Sequence, residues 1–197
     1  MPSPLNLFFK EVIYINLGRR PDRLQTLLPT FEKSEIIATR FPAIDCVFLG
    51  VHPTEACQSS HKEIIKYAKS KNLDSIFIFE DDVELANDFN EVVSQALKEL
   101  PNDWCMFYAG GNYDGVHPVP YSNHLNKITH LYATHAYAVH SRMYDVILGS
   151  PNCIIDVYYT TLHITYPTYI TKPRIAFQRA DYSDIMWMNV NYTELKE

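Results

Sequence analysis

Ser75-Ile76-Phe77-Ile78-Phe79-Glu80-Asp81-Asp82-Val83 is an apolar run that ends abruptly in three adjacent acids. A short continuous run of large apolar residues suits a strand buried on both faces, as at the centre of a parallel sheet covered by helices. The strongest helical pattern in the chain follows at once. Asp88 predicts an N-cap, Glu91 completes a capping box, and Phe89, Val92, Val93, Ala96, Leu97 and Leu100 form one apolar stripe before Pro101 stops it. Upstream, residues 11–17 (EVIYINL) read as a first strand, and Pro21 and Asp22 open a helix that Pro29 is expected to break or kink. A second short strand is expected within residues 36–44, a loop over 45–53, and a helix capped by Ser59 or Ser60 running to about Ser70. Residues 104–109 and 135–139 read as further strands, separated by a polar and aromatic loop over 112–126. Ser141 starts a helix that Gly149 ends, and Asp156 can cap another. The tail from Thr165 reads as irregular, with one strand around 175–177. Strands alternating with helices predict an α/β domain with a mostly parallel central sheet. Ligands of such sheets bind beyond the carboxyl ends of the strands, where Glu80, Asp81 and Asp82 fall.

The chain has 197 residues, 47% of them hydrophobic and 20% charged. That suits a single folded domain over 1–197, with 1–10 as an N-terminal extension and 185–197 as a tail, and excludes a disordered chain. The net charge of −6 argues against nucleic acid as a partner, although it leaves a local site for an anionic ligand open. No stretch approaches the length of a transmembrane segment, and the N-terminus lacks the basic region and cleavage site of a signal peptide. Cys46, Cys57, Cys105 and Cys153 form no CxxC pair and read as reduced thiols of a cytoplasmic protein, with two disulfides as the alternative. The sequon at Asn191 carries little weight beside these signals.

Adjacent carboxylates repel, and burial sharpens the repulsion, so Glu80-Asp81-Asp82 suggests a bound cation such as Mg²⁺ or Mn²⁺. An acidic loop at a helix start is the plainer reading. Arg19, Arg20 and Arg23 follow the first strand and can meet a phosphate or stack on a base, or simply form a solvated basic face. His61 is either a ligand contact or a structural histidine. No Gly-rich dinucleotide fingerprint, P-loop lysine, GxSxG or HExxH motif occurs, so dehydrogenase, P-loop, serine hydrolase and zincin chemistry have no support.

The order of these motifs resembles glycosyltransferase family 25, which includes lipooligosaccharide and procollagen galactosyltransferases. The matching residues are Val12 to Leu17, Arg19-Arg20-Pro21-Asp22-Arg23, Phe41 to Asp45, Glu55 to His61, Phe79 to Val83, Thr134 to Arg142, Ile155-Asp156 and Pro173 to Gln178. Ala56 stands where that family usually has Gly, and Gly18 where many members have a larger polar residue.

The resemblance implies a GT-A type inverting glycosyltransferase that uses Mn²⁺ or Mg²⁺ and a UDP-sugar, with galactose or glucose as the hexose and a glycan or glycoprotein hydroxyl as acceptor. It implies work in the cytoplasm of a bacterial or virus-infected cell. On it, Asp82 is the direct metal ligand, Asp81 reaches metal or ribose, and Glu80 orients the pair. His163 is a third metal ligand or a surface histidine. Asn16, Leu17, Arg19, Arg20 and Arg23 surround the nucleotide, and His61 and Gln178 contact the donor. Asp156 is the expected catalytic base, with a helix N-cap as its alternative role and Asp114 as runner-up base. Tyr108, Tyr113 and Tyr121 either stack on sugars or pack the core. A noncatalytic module that keeps the fold to bind a glycan or a partner is the competing expectation.

Overall fold

The computed structural model describes residues 2–191. The elements run α1 (Pro4–Phe8), β1 (Val12–Asn16), α2 (Pro21–Lys33), β2 (Thr39–Pro42), α3 (Cys46–Leu49), α4 (Pro53–Ser70), β3 (Ser75–Glu80), β4 (Val83–Leu85), α5 (Phe89–Glu99) and β5 (Met106–Tyr108). They continue with β6 (Val119–Pro120), β7 (Leu125–Lys127), β8 (Ala136–His140), a 3₁₀ turn (Ser141–Met143), α6 (Tyr144–Leu148), α7 (Ile155–Thr165), β9 (Thr168–Thr171), β10 (Ala176–Gln178), β11 (Asp181–Ser183) and β12 (Met188–Val190).

Eight strands form the central sheet in the order β2-β1-β3-β8-β5-β9-β7-β6. β1 is parallel to β2 and β3, and β5 is parallel to β9, whereas β8 and β7 run against their neighbours. Two reversed strands in an otherwise codirectional sheet, covered by helices, give the α/β architecture expected from the sequence.

Alternation along the strands builds a core on each face. Val12 and Tyr14 of β1 and Phe77 and Phe79 of β3 face Leu27 and Phe31 of α2 and the stripe of α5. Ile13, Ile15, Ile76 and Ile78 face Ile64, Ile65 and Ala68 of α4 and Ile155, Tyr159 and Leu162 of α7. Leu5 of α1 and Phe9 beside it are buried in the first of these cores, so residues 2–10 pack onto the sheet rather than extend from it.

Several local expectations are corrected. α2 continues through Pro29 to Lys33: Pro29 lies on the exposed face, while Leu27 and Phe31 are buried and anchor the helix on either side of it. α4 starts at Pro53, not at Ser59 or Ser60. The His52 ring accepts from Thr54 N, and Ser60 instead donates to Ala56 O. The loop over 45–53 contains α3, capped by Asp45 and ended by Gly50 at φ 65°. Asp88 occupies the N-cap of α5 without a side-chain cap bond, so the capping box does not form. The tail after Thr165 holds the interior strand β9, whose four residues are all buried; its short Thr-Tyr-Ile-Thr run between prolines has too little periodicity to stand out. The Asn191 sequon extends beyond the described residues, as does the tail after 191. The four cysteines are free thiols. No helix among the described residues is long and apolar enough to cross a membrane.

One close approach positions the cleft described below. Ile175 N and Ala176 N both donate to Ala109 O, which draws β10 across the end of β5 at Gly110. A Cβ on Gly110 would lie 1.8 Å from Ala176 O, so no side chain fits there. Gly110→Ala is therefore expected to lower the free energy of unfolding, measured by urea titration, by about 2–3 kcal/mol or more. Gly18, with nothing within 4 Å of a built Cβ, is the control, and Gly18→Ala should stay within about 0.5 kcal/mol of the parent.

Candidate active site

β1 and β3 end side by side, with Ile15 opposite Glu80 in a parallel register. Their carboxyl ends open into a cleft of about 490 Å³. Around it stand Asn16, Leu17, Arg19 and Arg23 after β1, the three acids after β3, Ala133 and Thr134 before β8, Asp156 at the start of α7, and Gln178 and Arg179 after β10.

The acids are not equivalent. Asp81 is buried, and both its oxygens are engaged: Arg23 Nη1 donates to Oδ1 at 2.6 Å and Asn16 Nδ2 to Oδ2 at 2.7 Å. Burial raises its pKa even so, with Arg23 opposing the shift. Asn16 is fully employed, since it also donates to Arg20 O and accepts from Arg40. Glu80 accepts from Thr134 Oγ1 at 2.5 Å and lies 3.3 Å from His61 Nε2. Burial pulls its pKa upward, but His61 and Thr134 outweigh that and hold the carboxyl below its usual range. His61 is buried, and its other nitrogen meets Tyr137 Oη at 2.7 Å, so its ring is fixed at both edges.

Asp82 differs from both. Its Oδ1 is buried and finds no hydrogen-bond partner among the described residues, and Arg23 is 3.8 Å from Oδ2. Burial, followed by the charge of Glu80, pushes its pKa up to about 7. Of the three acids, Asp82 is the one with a buried oxygen that has no hydrogen-bond partner among the described residues.

Asp156 lies in the first turn of α7, where Ile154 is the N-cap, so the alternative of a capping role is not what the structure shows. Its Oδ1 accepts from Val157 N and its Oδ2 from Ala133 N at 3.3 Å. Ala133 holds φ 75°, a left-handed geometry that is strained for a residue with a Cβ and typical of functional sites. Burial raises the Asp156 pKa, with Glu80 adding to it and the two backbone bonds opposing.

The other expected residues are placed elsewhere. Asp114 is exposed at φ 45° in the 112–115 turn and does not reach the cleft. His163 is buried on the core side of α7, where Nε2 meets Tyr108 Oη at 3.0 Å; burial pushes its pKa down to about 3. It lies outside the cleft that holds Asp82, because α7 turns position 163 towards the sheet. Tyr108 packs in the core, Tyr113 lies under Arg174 and Tyr121 lies against Tyr169, so none of the three lines the cleft. Arg20 is also outside the lining.

Sequence reasoning passed over Ala133, Thr134, Arg179, Asp181 and Asp184. The last two lie in the β11–β12 hairpin and hold the arginines. Asp184 pairs with Arg19 at 2.5 Å and Arg20 at 2.6 Å, and Asp181 lies 3.2 Å from both Arg20 and Arg23. The Asp-Tyr-Ser-Asp spacing was visible, but nothing local tied it to residues some 160 positions earlier. Among the described residues, no group of three or more His, Cys, Asp or Glu side chains is arranged to hold a metal by itself.

A carboxyl whose pKa is raised on folding stabilises the fold when protonated and costs stability once ionised, above its folded pKa. Asp156→Asn is thus expected to raise the melting temperature at pH 7, and the gain should shrink as pH falls into the carboxylate range. Breaking the buried Asp81–Arg23 pair has the opposite sign. Arg23→Gln should cost about 3 kcal/mol in urea unfolding by leaving Asp81 uncompensated, whereas Arg19→Gln, more exposed, should cost under about 1 kcal/mol.

Residues 52–147 match the family model described as "Glycosyltransferase family 25 (LPS biosynthesis protein)". A curated Bos taurus protein, "Probable inactive glycosyltransferase 25 family member 3", is 25% identical over 134 aligned positions, covering 54% of this chain and 22% of its own length. The chain thus spans about a fifth of that relative. Among solved structures, A197 from STIV is similar at TM-score 0.47 and 11% identity, over 87% of this chain and 95% of its own. A glycosyltransferase involved in the glycosylation of the major capsid of PBCV-1 is similar at TM-score 0.45 and 8% identity, over 70% and 62%. The matched segment, just under half of the chain, includes both His61 and the Glu80-Asp81-Asp82 motif, so residues 52–147 are similar to glycosyltransferase family 25.

Proposed function

We propose that the chain is a glycosyltransferase domain that uses a divalent cation, Mn²⁺ or Mg²⁺, and a UDP-sugar to glycosylate a glycan or protein-linked hydroxyl with inversion at the anomeric carbon. The observation that carries this reading is the buried, unpartnered Oδ1 of Asp82 at the mouth of a sheet-end cleft. A hard oxygen donor there fits Mg²⁺ or Mn²⁺, which keep part of their shell for substrate phosphate, so one or two carboxylates suffice on the protein side. Asp82 would hold the cation with Asp81 beside it; when bound, the cation supplies charge to offset the departing diphosphate. Asn16 and Arg23 fix both oxygens of Asp81 and oppose the rise in its pKa, and His61 and Thr134 fix Glu80 and hold its pKa below the usual range. Asp156 faces the same cleft with a raised pKa, which suits a base that takes the acceptor hydroxyl proton. The family description, LPS biosynthesis, supports a glycan acceptor, and galactose or glucose is the hexose we propose.

The second reading is a noncatalytic module. Two observations favour it: the bovine relative is described as probably inactive, and Asp81 already spends both oxygens inside the protein. The two readings separate on UDP release from UDP-galactose and UDP-glucose, with and without Mn²⁺. The catalytic reading expects metal-dependent release that falls about 100-fold or more in Asp82→Asn, consistent with the loss of a group acting on transition-state charge. Equal background release from parent and variant would establish the noncatalytic reading instead.

A further inference from the structure

The cations around the cleft are unequally free. Arg19 is paired with Asp45 and Asp184, Arg20 with Asp22, Asp181 and Asp184, and Arg23 with Asp81, Asp181 and Tyr182 O, at distances of 2.5 to 3.3 Å. Their guanidinium forks are occupied by the protein's own carboxylates, which fasten the β11–β12 hairpin to the start of α2. They act as clamps, and an anionic ligand would have to break several ion pairs to reach them.

Arg179 is different. It lines the cleft, and among the described residues its one ion pair is a long one, Nη2 to Asp181 at 3.5 Å. Its Nη1 is buried and finds no hydrogen-bond partner among the described residues. A buried donor without a partner costs free energy and is retained where a ligand completes it. Its position follows from backbone pairing. β10 runs antiparallel to β4 with Gln178 opposite Val83, and Arg179 N donates to Asp82 O at 2.8 Å. The pairing therefore brings together, on one wall of the cleft, a carboxylate with an unpartnered oxygen and a guanidinium with an unpartnered N–H, and the two are not hydrogen-bonded to each other. A single ligand that satisfies both presents a donor or a cation to Asp82 and an acceptor to Arg179, as a metal-chelated diphosphate does.

We infer that Arg179 is the arginine of this cleft that binds the donor diphosphate, through its free Nη1, while Arg19, Arg20 and Arg23 hold the hairpin and the acids in place. This rests on the nucleotide-sugar reading above and reassigns phosphate binding from the arginines after β1 to the end of β10.

The test is calorimetric binding of UDP, UMP and uridine, with Mn²⁺ present, to the parent chain and to Arg179→Gln, Arg179→Lys and Arg19→Gln. Arg179→Gln is expected to weaken UDP about 10- to 100-fold, the size of one charge-assisted hydrogen bond, while uridine changes less than about 3-fold. Arg179→Lys should recover part of the loss, and Arg19→Gln should leave UDP within about 3-fold. Replacing an arginine that only the ligand satisfies should also leave the melting temperature of the free protein unchanged or higher in Arg179→Met. UDP affinity that survives Arg179→Gln, or a loss shared equally by uridine, overturns the inference while the nucleotide reading stands. So does a loss that appears in Arg19→Gln instead, or a melting temperature several degrees lower in Arg179→Met. A parent chain that binds neither UDP nor uridine overturns the nucleotide reading and this inference together.

Discussion

Asp81 sits at the end of β3 with Arg23 on one oxygen and Asn16 on the other, and much of the cleft is arranged around that compensated charge. A carboxylate buried at this depth is costly unless paired, and breaking such a pair costs more than the pair itself contributes. Asn16 reaches Asp81 because β1 and β3 are parallel neighbours in a fixed register, and Arg23 reaches it because α2 begins a few residues after β1 ends. Arg23 in turn holds Asp181, so the first strand, the acidic motif and the late hairpin are tied to one ion pair.

Among the described residues, this arrangement leaves Asp82 Oδ1 and Arg179 Nη1 as the buried side-chain atoms of the cleft lining without a hydrogen-bond partner. The contrast is useful. Glu80 and Asp81 are held in place by hydrogen bonds, so their carboxylates are pre-oriented at little cost on ligand binding. Asp82 carries a cost of burial and of the nearby Glu80 charge that Arg23 and Arg179 only partly offset, and its pKa is raised accordingly. Asp156, strapped by the left-handed Ala133 and also raised, is a second such cost on the opposite wall. Strain and unpaired charge concentrated in one cleft are what a site that works on a substrate requires and a merely stable fold avoids.

The fold was largely legible from periodicity. The SIFIF run, the α5 stripe and the EVIYINL strand appear where expected, because each has a repeat that burial on one or two faces imposes. The failures have local causes. Pro29 did not end α2, since the burial of Leu27 and Phe31 on the opposite face outweighs the local cost of the proline. The start of α4 was set by a histidine cap, and β9 was too short and too closely bracketed by prolines to show a period. In the site, Asp82, Asp81, Asn16, Arg23 and His61 were legible as polar residues at strand ends and helix starts. Asp114 and His163 were not distinguishable from site residues by type alone. Their positions depend on which way one loop and one helix face.

The α/β class, the acidic motif after a buried strand and the resemblance of residues 52–147 to a known family were legible in the sequence, because these depend on residues close together in the chain. Tertiary structure alone decided which charges neutralise one another. Asp181 and Asp184 occupy the arginines after β1, and Arg179 is brought beside Asp82 by the β4–β10 pairing. Whether a charge is spent on its own protein or kept for a ligand depends on distances between segments remote in the chain, and no local pattern encodes those distances.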